Sequence, residues 1–219
     1  MTEYIIQHEE VIFEITQEYL NKNRYFNLEN IIPFINVRLK KFSISLTYDG
    51  IREILKSLIK KKIILERSKL TKKEILNNTN RKIIYDFITN NPGVYFNRIS
   101  RELKLSNYIL AWHIKMLINF EFIKSSIMDN HEIFFKINIP SEEYSILYIL
   151  SKEKAQEVIN YLKLNQDGCY KTQICKDLNM HSNTVSKYIQ KLENLGIIIQ
   201  KKDSNRILYF LTDKIERYL

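Results

Sequence analysis

Residues 81–135, RKIIYDFITNNPGVYFNRISRELKLSNYILAWHIKMLINFEFIKSSIMDNHEIFF, and residues 156–210, QEVINYLKLNQDGCYKTQICKDLNMHSNTVSKYIQKLENLGIIIQKKDSNRILYF, carry one pattern twice. With no gap, Gly93 maps to Gly168, Tyr95 to Tyr170, Ile99 to Ile174, Leu103 to Leu178, Ile114 to Ile189 and Leu117 to Leu192. Ile123 maps to Ile198, Asn130 to Asn205 and Phe135 to Phe210, always 75 positions on. A register held over about 55 residues marks a duplicated structural unit.

In the second copy, Ser151 is expected to cap a helix whose inner face is Ala155, Val158, Ile159 and Leu162. Asp167 and Gly168 end it, and Cys169-Tyr170 reads as a short strand. A short helix turns Ile174, Cys175 and Leu178 inward, and the tight turn 179–181 leads to Ser182 as the next N-cap. That longer helix buries Val185, Ile189, Leu192 and Leu195 and stops at Gly196. Two β-rich runs, 197–202 and 207–211, enclose a charged tip at 203–206, as a hairpin does. The first copy predicts a helix over 80–89, a strand over 94–96, and a short helix capped by Asn97. A long helix starts after Ser106 or Asn107, and a hairpin has its tip at 128–131.

This order of elements is the plan of a winged helix-turn-helix. A more divergent version begins the chain. Val11, Ile12, Ile15 and Leu20 mark a helix and Tyr25-Phe26 a strand. Asn27 caps a second helix that contains Pro33, and Ile51, Ile54, Leu55, Leu58 and Ile59 mark a third. One strand is expected at 63–66 and no second follows. The expected fold class is therefore mainly α with small β-wings (α+β), as three tandem winged-helix-like modules. Residues 1–70 form a helix-turn-helix-like module lacking a full wing, 71–140 a winged-helix module, and 141–219 a C-terminal winged-helix module. The second and third modules are the internal repeat.

Composition narrows the classes of function. A chain of 219 residues, 45% hydrophobic and 12% aromatic, can bury real cores. Its four glycines leave no phosphate-cradling glycine-rich loop. No run approaches 18 apolar residues, and MTEYIIQHEE lacks the basic start and apolar stretch of a signal peptide, so no membrane span is expected. Cys169 and Cys175 read as packed, inert thiols, which fits a reducing cytoplasm. The net charge of +9 favours a polyanionic partner. The same charge follows in part from a bias toward Ile, Lys, Asn and Tyr, with only two alanines, of the kind an AT-rich genome imposes. The four histidines are scattered and no nucleophile–base or paired-carboxylate arrangement recurs, so no enzyme, cofactor or metal site is expected.

In a helix-turn-helix the last helix enters the major groove. Its exposed positions in the second copy are Ser182, Asn183, Thr184, Ser186, Lys187, Gln190 and Lys191, all able to hydrogen-bond bases or phosphates. Lys201, Lys202 and Arg206 on the hairpin are expected to add phosphate or minor-groove contacts. The corresponding face of the first copy is apolar. Tyr108, Ile109 and Trp112 are expected to form a protein interface, with another module or a second chain.

Residues 182–198 resemble the recognition helix and first wing strand of MarR/ArsR-type winged-helix regulators. Residues 91–100, together with the Trp-His-Ile-Lys-Met-Leu run from Trp112, are similar to tandem winged-helix regulators of archaea. The likeness covers residues 78–219. It implies a cytoplasmic, sequence-specific regulator of transcription that places its C-terminal recognition helix in the major groove of double-stranded DNA. The apolar face of Tyr108, Ile109 and Trp112, read on its own, points to a homodimer or protein partner through the central module. ArsR-type metal sensing uses a cysteine pair in the recognition helix, and residues 182–194 contain none. The alternative is a winged-helix interaction scaffold, like the subunits of membrane-sorting complexes, that binds no DNA.

Overall fold

A computed structural model describes residues 2–218, with side chains from His8 onward. The described chain is mostly helical and carries two small antiparallel sheets. In order the elements are α1 (Thr2–Lys22), α2 (Leu28–Leu39), α3 (Tyr48–Lys60), α4 (Thr79–Asn90), β1 (Val94–Tyr95), α5 (Phe96–Leu103), α6 (Asn107–Asn119), β2 (Ile123–Met128) and β3 (His131–Lys136). There follow α7 (Tyr144–Leu150), α8 (Glu153–Leu164), β4 (Cys169–Tyr170), α9 (Lys171–Asp177), α10 (Ser182–Asn194), β5 (Ile198–Asp203) and β6 (Arg206–Leu211). They divide into two compact units, one running to Tyr85 and including Asn107–Phe122, the other made of Asp86–Ser106 and the chain from Ile123.

In the first unit α1, α2 and α3 pack on one another through Ile12, Ile15, Ile31, Ile35, Leu39, Ile51 and Leu55, all buried. The Asn27 side chain accepts the Asn30 N–H at 2.8 Å and starts α2 as expected. The strands expected at Tyr25-Phe26 and 63–66 do not form. Phe26 and Ile64 fill the core between helices instead, and isolated backbone bonds (Arg67 N–H to the Phe26 carbonyl, Lys72 N–H to the Ile63 carbonyl) take the place of a ladder. Apolar residues in short runs read as β, but here burial between helices is what requires them. In α6 the inward residues are Leu110, His113, Ile114 and Leu117.

The second unit holds both sheets, ordered β1-β3-β2 and β4-β6-β5. Val94 faces Phe134 in the first and Cys169 faces Tyr209 in the second; Ile123 faces Lys136 and Ile198 faces Leu211. The second register is the first displaced by 75 positions. One continuous core joins Ile133 and Phe135 of β3 to Ile146 and Ile149 of α7, Val158 and Ile159 of α8, Ile174 of α9, and Val185, Ile189 and Leu192 of α10. The Phe135 and Tyr144 rings stack at 4.0 Å.

Several expected caps are displaced. Ser151 ends α7 rather than starting α8, which begins at Glu153, and its hydroxyl donates to backbone carbonyls of Gly93 and Tyr148, at 3.1 and 2.8 Å. The short helix α5 begins at Phe96, ahead of Asn97. His131 and Arg206 are the first residues of β3 and β6 rather than part of the hairpin tips. The first tip is the two-residue turn Asp129-Asn130, with φ of 48° and 61°, the left-handed pair that matches strand twist.

Gly93 sits at φ +83°, and a Cβ there would lie 2.7 Å from the backbone of Leu147 and Tyr148. The sequence marks it as a turn glycine; the structure adds a close approach of β1 to α7. Gly93→Ala should lower unfolding free energy by about 2–4 kcal/mol, from left-handed strain plus a backbone clash. Chemical denaturation followed by far-UV circular dichroism reads this, and a loss under about 1 kcal/mol would contradict the close approach.

Candidate nucleic-acid interface

The turn before α10 places its exposed face. Asn179 takes φ +49°, Met180 is buried as a plug, and the Asn183 N–H donates to Nδ1 of His181 at 3.2 Å. His181 is thus the N-cap that Ser182 was expected to be; Ser182 is the first helical residue. With Val185, Ile189 and Leu192 buried, the 3.6-residue turn leaves Asn183, Lys187 and Gln190 exposed along the opposite face. Ser182 is exposed at the helix start, while Thr184 and Ser186 are half-buried on the flanks. The Lys171 ammonium donates to the Ser186 hydroxyl at 3.2 Å, tying α9 to α10.

Lys191 lies on the other flank and is engaged. Its ammonium meets the carboxylate of Asp129, in the β2–β3 turn, at 2.5 Å. Hydrogen bonding from Lys191 holds the Asp129 carboxyl below its ordinary value of 3.8; partial burial opposes this, and the charges of Lys191, Lys187 and Lys152 reinforce it. The approach of this turn to α10 joins residues 62 apart in sequence, and the repeat, which aligns Asp129 with Ser204, gives no hint of it.

On the β5–β6 hairpin Lys201, Lys202 and Arg206 are all exposed. The Lys201 ammonium lies 4.9 Å from the centre of the Phe210 ring and the Arg206 guanidinium 5.4 Å from that of Tyr170, whose hydroxyl donates to Asp203. Aromatic faces hold these cations without neutralising them.

The face of α6 is different in kind. Tyr108 is 84% exposed, Trp112 49% and Ile109 41%. Trp112 is partly covered by the Arg81 guanidinium at 5.6 Å, which is itself buried and donates through Nε to the Ile75 carbonyl at 2.7 Å. Burial, then the Arg81 charge, pushes the neighbouring His113 imidazole down, so it packs neutral at physiological pH. Among the described residues no group of three His, Cys, Asp or Glu side chains is placed to hold a metal, and no helix is long and apolar enough to cross a membrane.

No family model matches the chain. It is similar to an uncharacterized HTH-type transcriptional regulator of Methanocaldococcus jannaschii, 31% identical over 198 residues. That match takes in 86% of this chain, which spans about half (50%) of the relative's length. Among solved structures, ScpB from Mycobacterium tuberculosis aligns over 68% of this chain and 98% of its own, at 12% identity and a TM-score of 0.27, too low to carry an argument.

Because the Asp129 carboxyl is depressed, its pairing with Lys191 stabilises the fold fully above the ordinary carboxylate range and is lost as pH falls through the depressed value. A carbon-detected NMR titration of the Asp129 carboxyl should give a midpoint below 3.8 in the wild type and one closer to 3.8 in Lys191→Met. A wild-type midpoint at or above 3.8 would remove the ion pair from the description of this site.

Proposed function

We propose that this chain is a non-enzymatic, sequence-specific regulator of transcription. In this reading its C-terminal residues 141–219 form a winged helix-turn-helix whose α10 enters the major groove of double-stranded DNA. The central residues 71–140 are a second winged-helix module, and residues 1–70 a wingless one. One observation carries the proposal: α10 turns an unbroken polar face outward at Asn183, Lys187 and Gln190, beside a hairpin that exposes Lys201, Lys202 and Arg206. The name of the archaeal relative points the same way.

Each side chain then has a role. Asn183 and Gln190 are suited to the paired donor and acceptor of adenine, and Lys187 to guanine. Ser182, Thr184 and Ser186 reach phosphates or base edges from the start of the helix. Lys201 and Lys202 neutralise phosphates, and Arg206 serves as the wing cation. Lys191 takes part by exchanging Asp129 for a phosphate.

Binding to a selected operator should weaken with salt at a slope near −0.9 per phosphate contact. Asn183→Ala should cost roughly 1–3 kcal/mol and relax preference at one base pair, whereas Lys202→Ala should weaken all sequences alike and lower the slope by about 1. Fluorescence anisotropy at several salt concentrations reads both. Equal, salt-insensitive binding by the wild type and an Asn183/Lys187/Arg206 triple alanine variant would overturn the proposal.

A second reading, a protein-interaction module, draws on the exposure of Tyr108, Ile109 and Trp112. It expects self-association or partner binding through α6. If the chain self-associates this way, a Tyr108→Ser, Trp112→Ser double variant sediments as a smaller species than the wild type. Unchanged sedimentation of a wild-type oligomer would take α6 out of that contact.

A further inference from the structure

Within the second unit a cavity of about 550 Å³ opens between the β2–β3 turn, the end of α7 and the Lys191 flank of α10. Three of its lining residues are lysines, Lys152, Lys187 and Lys191, and its single carboxylate is Asp129. Asp129 answers Lys191, and among the described residues neither Lys152 nor Lys187 has an acidic partner within ion-pair distance. Like charges gathered in a partly enclosed space are unfavourable unless an anion joins them.

Lys152 is held there by specific contacts. Its ammonium sits 4.3 and 4.1 Å from the centres of the Tyr95 and Tyr148 rings. The preceding residue, Ser151, is fixed by its own hydroxyl bonds and by the Arg98 guanidinium, which donates to its carbonyl at 2.6 Å. Burial lowers the Lys152 pKa; Asp129 opposes this, and Lys191, Lys187 and Arg98 lower it further. Burial, aided by Asp129, pushes the Tyr148 hydroxyl up to about 12, leaving it a proton donor at neutral pH.

We propose that this cavity binds a small phosphorylated molecule, its phosphate held by Lys152, Lys187 and Lys191 in place of Asp129. The volume suits a small ligand rather than a macromolecule. Lysine ammoniums are point charges with several donors each, a recurring means of holding phosphate, and three of them suit the higher charge of a phosphate group. Lys152 is half-buried in this cavity, whereas Lys201 and Lys202 of the hairpin are exposed. Lys187 and Lys191 also belong to the proposed reading helix, so an occupied cavity would withdraw them from DNA. That coupling rests on the DNA reading; the binding itself does not.

Calorimetry of the full chain at low ionic strength, without DNA, tests the site with inorganic pyrophosphate, ATP and citrate. Saturable one-site binding of pyrophosphate or ATP, tighter than citrate, is expected, and tighter binding of ATP would identify a nucleotide. Lys152→Gln should weaken affinity about tenfold, the loss of one charge-assisted contact. Asp129→Asn, which removes the competing carboxylate, should strengthen it about threefold or more, a direction that damage to the fold cannot produce. The proposal is overturned if neither phosphate compound binds, if citrate binds as tightly, or if the wild type and both variants share one affinity. Since no DNA is present, such a result leaves the DNA reading intact.

Discussion

The backbone of Gly93 lies against the backbone of Leu147 and Tyr148 so closely that no side chain fits between them, and the Ser151 hydroxyl ties the same two segments through carbonyls on each. This contact sets where the first sheet stands against α7. From it follow the shared core that runs from β3 into α10, the stacking of Phe135 on Tyr144, and the delivery of Asp129 to Lys191. Both the left-handed φ and the missing Cβ are used here, so any other residue is strained at this position.

The duplication makes this arrangement more than two copies laid end to end. Gly168, the partner of Gly93 in the repeat, also has positive φ, but a Cβ there would meet the edge of the Phe210 ring instead of a helix backbone. One glycine docks its sheet on the following helix; the other shapes a local turn under an aromatic ring. Shared backbone geometry has been given two packing tasks.

Where the sequence was legible, a period carried the information. The α10 stripe of Val185, Ile189 and Leu192 is buried as its spacing requires, and the hairpins lie within a residue or two of their expected bounds. Legibility failed where apolar residues lose their period. The run Tyr144–Leu150, YSILYIL, is apolar on nearly every side and carries no period of helix or strand, so Ser151 beyond it reads as the start of α8 although it closes α7. Phe26 and Ile64 show the same loss: two buried plugs in loops imitate strands. The exposed face of α10 was readable from its residue types. The commitment of Lys191 to Asp129 was not, because it depends on how the β2–β3 turn comes to rest.

The single tryptophan of the chain belongs to the first unit, half-exposed, edge-on to His113 and beneath the Arg81 guanidinium. Its emission is therefore an optical label for one unit alone, tuned by a cation and an imidazole. The fourteen tyrosines, six in the first unit and eight in the second, absorb and emit at shorter wavelength and so report on the whole chain. Unfolding watched by tryptophan emission beside a signal from the whole chain shows whether the first unit comes apart with the rest or separately, with no probe added.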